Sequence, residues 1–292
     1  MDAENLRMNR ASFSLGLLTT PLPAMRRGGF ADVERDFGCR VGVYAHDLHT
    51  GRRAAYHADD VFLLCSTFKL ALVMAVLARV DRGSENPRRM VPFGPADIMA
   101  HSPALERFPH GGALSIDALL DAIVTRSDNG AANLLLRAVG GPREVTQFVH
   151  GLGIARFRLD RYEPQLNVAA PGDTRDTASP RAMVALASRI VRDPVLGPAS
   201  NTRLSGWLRA SVTGAGRIRS ATPRSFIAGD KTGTGDHNAN DVAILWRRDG
   251  NAPIVVAVYV AGLSETAPFD RTVATAARQA LQELGIVSAQ AS

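Results

Sequence analysis

The chain is 292 residues long and 46% hydrophobic, enough apolar mass to bury a large core as one large domain or two intimate ones, which excludes a disordered chain. Its formal net charge of +6 comes from 34 basic residues scattered among 28 acidic ones without a run of five basic residues, a pattern that favours a solvated basic surface over a nucleic-acid partner. No stretch approaches the ~18 apolar residues that a membrane span requires, and two cysteines, Cys39 and Cys65, cannot form a disulfide scaffold and read as small buried hydrophobes.

Residues 1–27 place Arg7 and Arg10 before the apolar stretch Phe13 to Leu18 and the small-residue end Pro21-Leu22-Pro23-Ala24. That is the order of a secretion leader, although Asp2 and Glu4 dilute its basic end and Met8 offers an alternative start. A periplasmic or secreted protein is therefore expected. Residues 30–37 read as a short helix, and 40–47 and 53–57 as two strands joined by the turn-like His49-Thr50-Gly51-Arg52. Ser66 opens an apolar periodic run through Val80, closed by Asp81-Arg82-Gly83, which predicts a buried helix. From there to about residue 210 the periodicity is helical, with Ser115-Ile116-Asp117 an N-cap signal before 116–125 and a further helix near 129–139. The stretches 226–234, 242–247 and 254–261 are strand-like, Arg248-Asp249-Gly250-Asn251 is a hairpin turn between the last two, and 269–284 is a closing helix.

These elements predict an α+β fold: an antiparallel five-stranded sheet split between the chain ends, terminal helices packed on it, and an all-α block inserted between strands two and three. The expected division is 28–62 with 212–292 for the sheet domain and 63–211 for the all-α domain, with a site at their interface.

Lysine is the informative residue. Only Lys69 and Lys231 occur among the 34 basic residues, so arginine serves wherever a plain positive charge suffices. An ammonium is compact and can lose its proton when desolvated, whereas a guanidinium stays charged. Lys69 closes Ser66-Thr67-Phe68-Lys69 and Lys231 opens Lys231-Thr232-Gly233, with Ser127-Asp128-Asn129 between them. A serine and a lysine three apart at a helix start share one face, pairing a nucleophile with a base. On an almost wholly apolar helix Lys69 is expected to be partly desolvated, which favours its neutral form. An S-x-x-K alone is expected on the order of once in a chain this long; the conjunction of the three motifs in this order is far more specific. Ser127-Asp128-Asn129 also reads as a plain helix N-cap cluster.

By these motifs the chain resembles the class A serine β-lactamases, relatives of the penicillin-binding DD-peptidases, over roughly residues 30–287. Arg161-Tyr162-Glu163-Pro164-Gln165-Leu166-Asn167 is similar to the family's omega-loop pattern R-x-E-x-x-L-N, and Asp173-Thr174-Arg175-Asp176-Thr177 follows it. The resemblance implies hydrolysis of the β-lactam amide through an acyl-Ser66 intermediate, deacylated by a water that Glu163 activates and Asn167 helps hold, with Arg161 and Asp176 clamping the loop as an ion pair. It further implies that Ser127 relays a proton between Lys69, Lys231 and the β-lactam nitrogen. Asn129 then binds the substrate's side-chain amide, Lys231, Thr232, Gly233 and Thr234 hold its carboxylate edge, and the N–H groups of Ser66 and Thr234 form the oxyanion hole.

Two departures stand out. The arginine that many members carry after K-T-G is missing from Ala239-Asn240-Asp241, and Arg217, in Thr213-Gly214-Ala215-Gly216-Arg217, is placed to replace it. Members of carbapenemase breadth usually pair the cysteine before the nucleophile with one after Thr234, where this chain has Gly235. His101 stands where the family often has an aromatic gate. No cofactor or metal is expected, since the seven histidines show no H-E-x-x-H or H-x-H-x-D spacing, and G-x-S-x-G is absent. The expected partner is a small-molecule β-lactam and the expected state a monomer. The competing readings are a slowly deacylating penicillin-binding DD-peptidase and a β-lactam sensor domain, the latter disfavoured because the chain ends at Ser292 without an anchor or signalling segment.

Overall fold

A computed structural model describes residues 29–288 apart from 169, 171, 193 and 194; the expected leader lies outside the described residues. The chain begins with α1 (Phe30–Phe37), β1 (Arg40–Asp47), β2 (Arg53–Tyr56) and the two-residue β3 (Phe62–Leu63), and a 3₁₀ turn at Cys65–Thr67 then leads into α2 (Phe68–Asp81). The middle holds β4 (Met90–Phe93), β5 (Gly112–Ser115), α3 (Ile116–Thr125), α4 (Asn129–Val139), α5 (Pro142–Gly151), β6 (Phe157–Arg158), β7 (Thr177–Ala178), α6 (Pro180–Ser188) and α7 (Pro198–Ala210). It closes with α8 (Ile218–Ala221), β8 (Phe226–Gly235), β9 (Asn238–Arg247), β10 (Ile254–Ala261) and α9 (Phe269–Glu283).

The expected antiparallel five-stranded sheet is present, in the order β2-β1-β10-β9-β8, so that strands from the two chain ends meet at the β1–β10 pair. Period-2 alternation sends Val41, Val43, Ala45, Val256 and Val258 to one face, against Phe30 of α1, Ile218 of α8 and Val273, Ala277 and Leu281 of α9. Tyr44, Val242, Ile244, Ala257 and Tyr259 face the other way and join a core built from α2 to α7. The sheet is thus covered on both faces, not by terminal helices alone, and β10 is buried from Ile254 to Val260, which is why it reads as one continuous apolar run.

The middle block departs from the all-α expectation. It carries a three-stranded sheet β3-β7-β6 and a β4–β5 hairpin. Strands of two residues have no period to read, and β4 and β5 are largely exposed and contain Pro92 and Gly112, which mask a strand signal. Ser66 also sits in the 3₁₀ turn, ahead of α2.

That turn is held from three sides. Thr67 Oγ1 donates to the Leu64 carbonyl (2.6 Å) and meets the buried Tyr259 hydroxyl (2.7 Å). Asn240 Nδ2 donates to the carbonyl of Leu63 (2.8 Å). The edge strand β8 packs so closely that a Cβ on Gly233 would stand 2.8 Å from the Leu64 oxygen and 3.2 Å from the Ser66 nitrogen, so only glycine fits there.

Candidate active site

Lys69 projects from the first turn of α2, a helix buried from Phe68 to Ala78 around its whole circumference. Its Nζ lies 2.9 Å from Ser66 Oγ, 2.6 Å from Asn129 Oδ1, 2.7 Å from the Ser127 carbonyl and 3.3 Å from both Ser127 Oγ and Glu163 Oε1. Burial holds this amine below its ordinary pKa, against the opposing pull of the Glu163 carboxylate. Lys231, also fully buried, reaches from β8 to donate to Ser127 Oγ (3.0 Å) and to the Thr232 carbonyl (2.8 Å). Burial, then the charge of Lys69, pushes Lys231 well below its usual value. The Ser127 hydroxyl therefore stands between two ammonium nitrogens of weakened basicity.

Ser127 has φ 59°, a left-handed conformation that costs a non-glycine residue on the order of 1–3 kcal/mol and here aims both its carbonyl and its hydroxyl at Lys69. Asp128 next to it caps α4, accepting from Ala131 N–H (2.8 Å), and also accepts from Ala104 N–H (2.8 Å), tying the 100s loop to the site. The N-cap and catalytic readings of this triplet are thus compatible, with the cap on Asp128. Asn129 donates through Nδ2 to the Ala100 carbonyl (3.1 Å), and its N–H donates to the His101 carbonyl (3.0 Å). His101 is exposed, and its ring nitrogen stands 3.1 Å from the Arg126 carbonyl, so its backbone, more than its ring, engages the residues around Lys69.

Glu163 is buried and brings a carboxylate up beside both Lys69 and Ser66, whose hydroxyl stands 3.4 Å from Oε1. Its second oxygen accepts from Asn167 Nδ2 (2.5 Å). Asn167 Oδ1 is buried and takes no hydrogen bond among the described residues. The Arg161–Asp176 ion pair closes at 2.5 Å, Asp176 also accepts the N–H groups of Asp160 and Arg161, and Arg161 reaches the Val168 carbonyl. Asn133 of α4 brackets Glu163, accepting from its N–H (3.0 Å) and donating to its carbonyl (2.9 Å). The sequence marks Asn133 only as a poor helix former in a helix interior, which does not point to this role.

Arg217 is nearly buried, donating to the carbonyls of Gly233 (2.9 Å) and Asn240 (2.8 Å), to Thr234 Oγ1 (2.8 Å) and to Asp270 (2.7 Å). It occupies the back of the K-T-G strand, where Ala239-Asn240-Asp241 offers no arginine. Thr232 Oγ1 shares a hydrogen bond with Thr213 Oγ1 (2.7 Å). Cys65 is buried, with burial pushing its thiol up to about 12, and both it and Cys39 are unpaired. A Cβ on Gly235 would lie 3.3 Å from Cys65 Sγ, so the glycine leaves that sulfur without the neighbour a cysteine there would supply. Among the described residues no cluster of His, Cys, Asp or Glu suits a metal ion.

The family model described as the Beta-lactamase enzyme family matches residues 28–284. This chain belongs to the class A serine β-lactamases. The β-lactamase is 40% identical over 274 residues to a carbapenem-hydrolyzing β-lactamase, KPC, of Klebsiella oxytoca, covering 93% of each chain. It is likewise 40% identical to a β-lactamase of Streptomyces albus G, over 87% of this chain and 83% of that one. Its fold is similar to the class A β-lactamase reconstructed for the last common ancestor of Gram-negative bacteria (TM-score 0.83, 44% identity, 87% and 97% of the chains). A β-lactamase of Desulfarculus baarsii is comparably similar (TM-score 0.83, 40% identity, 87% and 95%). The protein is accordingly a β-lactam hydrolase, an enzyme acting on cyclic amides.

Proposed function

We propose that this β-lactamase opens the β-lactam ring through an acyl-Ser66 intermediate and releases it with a water activated by Glu163. One observation carries the reading: Ser66 Oγ is within reach of both an amine of lowered basicity at 2.9 Å and a buried carboxylate at 3.4 Å, themselves 3.3 Å apart, the first suited to acylation and the second to hydrolysis. Neutral Lys69 takes the Ser66 proton as Oγ attacks the carbonyl carbon. The developing oxyanion is received by the N–H groups of Ser66 and Thr234, which the close approach of Gly233 brings together. The C–N bond breaks as the Ser127 hydroxyl, in reach of both lysines, gives its proton to the leaving nitrogen and is replenished through them. A water between Glu163 and Asn167 Oδ1, which takes no hydrogen bond among the described residues, then gives a proton to Glu163 and attacks the ester carbon; the C–Oγ bond breaks and Ser66 Oγ takes up the proton that Glu163 held.

In this reading Asn129 faces the substrate amide, Lys231, Thr232 and Thr234 face its carboxylate with Arg217 behind them, and His101 lies at the rim. The site falls between the 63–211 block and the sheet part formed by 28–62 and 212–292. The enzyme acts as a monomer in the periplasm or outside the cell. No helix among the described residues is long and apolar enough to cross a membrane.

Steady-state hydrolysis of one penicillin, one cephalosporin and one carbapenem, with intact mass after each reaction, tests the proposal. Many turnovers of the penicillin with free enzyme at the end are expected; a stoichiometric adduct that persists would put the penicillin-binding DD-peptidase reading ahead. The relative named for carbapenem hydrolysis makes the third substrate informative, since Gly235 here leaves Cys65 unpaired.

A further inference from the structure

At the opposite edge of the sheet from β8, a cavity of about 240 Å³ opens between β1 and α6. Four guanidiniums line it: Arg53, Arg181, Arg189 and Arg192. The sequence brings them there by two periods. Residues 44 and 46 share one face of β1, Leu48 follows just past its end, and Arg53 of β2 is the direct cross-strand partner of His46. Along and just past α6, positions 181, 185, 188, 189 and 192 fall on one side of the helical path. Two of the arginines are anchored: Arg181 pairs with Asp59 through Nε and Nη2 (2.8 and 2.9 Å) and lies over the Tyr44 ring, and Arg189 donates to the Leu152 carbonyl (3.2 Å). Arg53 and Arg192 are exposed and have no carboxylate partner among the described residues. His46 between them is held below its ordinary pKa, first by partial burial and then by the charges of Arg53 and Arg192, with Asp47 pulling the other way. A concave site with four guanidiniums, two of them without a carboxylate partner among the described residues, attracts a compact anion that can accept several N–H donors.

We propose that this cavity is an anion site for a phosphoryl group, free or carried by a lipid headgroup, gripped by Arg53 and Arg192 against the ordered Arg181. Guanidinium forks match phosphate oxygens two at a time, and charge-assisted bonds of this kind are the strong ones. The volume suits one phosphoryl group or a diphosphate, far less than a nucleic-acid strand needs. Nothing in the β-lactamase reaction uses these residues, so binding and hydrolysis are separable.

The test uses the whole protein at low ionic strength. Calorimetric titration with inorganic phosphate and with pyrophosphate reports a soluble anion; co-sedimentation with phosphatidylcholine vesicles, with and without phosphatidic acid, reports a headgroup. Binding in either arm is expected to weaken about tenfold or more in the R53A/R192A double variant, with penicillin hydrolysis unchanged. Bound anion is also expected to raise the His46 titration followed by NMR, because it offsets the two arginine charges. Loss in the first arm assigns a free anion and loss in the second alone a lipid phosphate, and either supports the site. No binding in both arms, or binding that the double variant retains, overturns it.

Discussion

Lys69 has five oxygens within 3.3 Å and no solvent exposure, a cage that fits a compact amine and leaves no room for a planar fork. Lys69→Arg keeps the charge, yet it is expected to cut the acylation rate by about 10² or more, the value of a lost general base, in stopped-flow mixing with a penicillin. The sign of the pH effect follows from the same burial. In the proposed cycle the working form is the neutral amine, so kcat/KM is expected to fall as pH drops through the depressed Lys69 pKa and the amine gains its proton; a flat acid limb would argue against Lys69 as base. Arg217 donates to Thr234 Oγ1 in the free enzyme, and the proposed role behind the carboxylate site would serve ground and transition states alike. Arg217→Ala is expected to raise KM for carboxylate-bearing substrates more than it lowers kcat. At this scale the sequence was legible where a residue type was rare or a spacing fixed, as with the two lysines and the 161–167 loop. Asn133 was not, because one asparagine on a helix gives no hint that it brackets a loop 30 residues away.

Elements that begin on a capping residue or carry a long period were readable almost to the residue. Ser115 caps α3 by accepting from Ala118 N–H (3.2 Å), and helices 116–125 and 129–139 lie where the caps and periodicity put them. Ser115→Ala is expected to cost about 1 kcal/mol in denaturant unfolding, leaving penicillin kinetics unchanged. Long-range closeness is invisible to such signals. Gly42 sits in β1 where a Cβ would come within 2.3 Å of the Phe62 ring and 3.0 Å of Pro180, a constraint set by β3 and α6 and not by any local pattern. Gly42→Ala is expected to destabilise by about 1–3 kcal/mol through overpacking, read by the same unfolding experiment. For the same reason β3, β6 and β7 went unread, since two-residue strands exist only because their partners arrive from elsewhere.

The whole molecule joins parts that the chain keeps far apart: Ser66 and Glu163 are 97 residues apart, and Lys231 is 104 from Ser127. The order of motifs announced this meeting, and the split sheet that accomplishes it was legible from where the strand-like runs lie. The two-faced burial of that sheet was not, because the block between the chain ends had to fold back onto it first. Because the proposed mechanism rests acylation and hydrolysis on groups from different segments, it predicts that the cycle can be cut in two. Mixing the Glu163→Ala variant with a penicillin and following intact mass over time is the most direct measurement. The ring is expected to open on Ser66, the protein to gain the full mass of the penicillin, and that adduct to persist while turnover falls by about 10² to 10⁴, the value of a positioned general base. A variant that turned over as the parent does, or that never gained the adduct, would contradict the division of labour between Lys69 and Glu163.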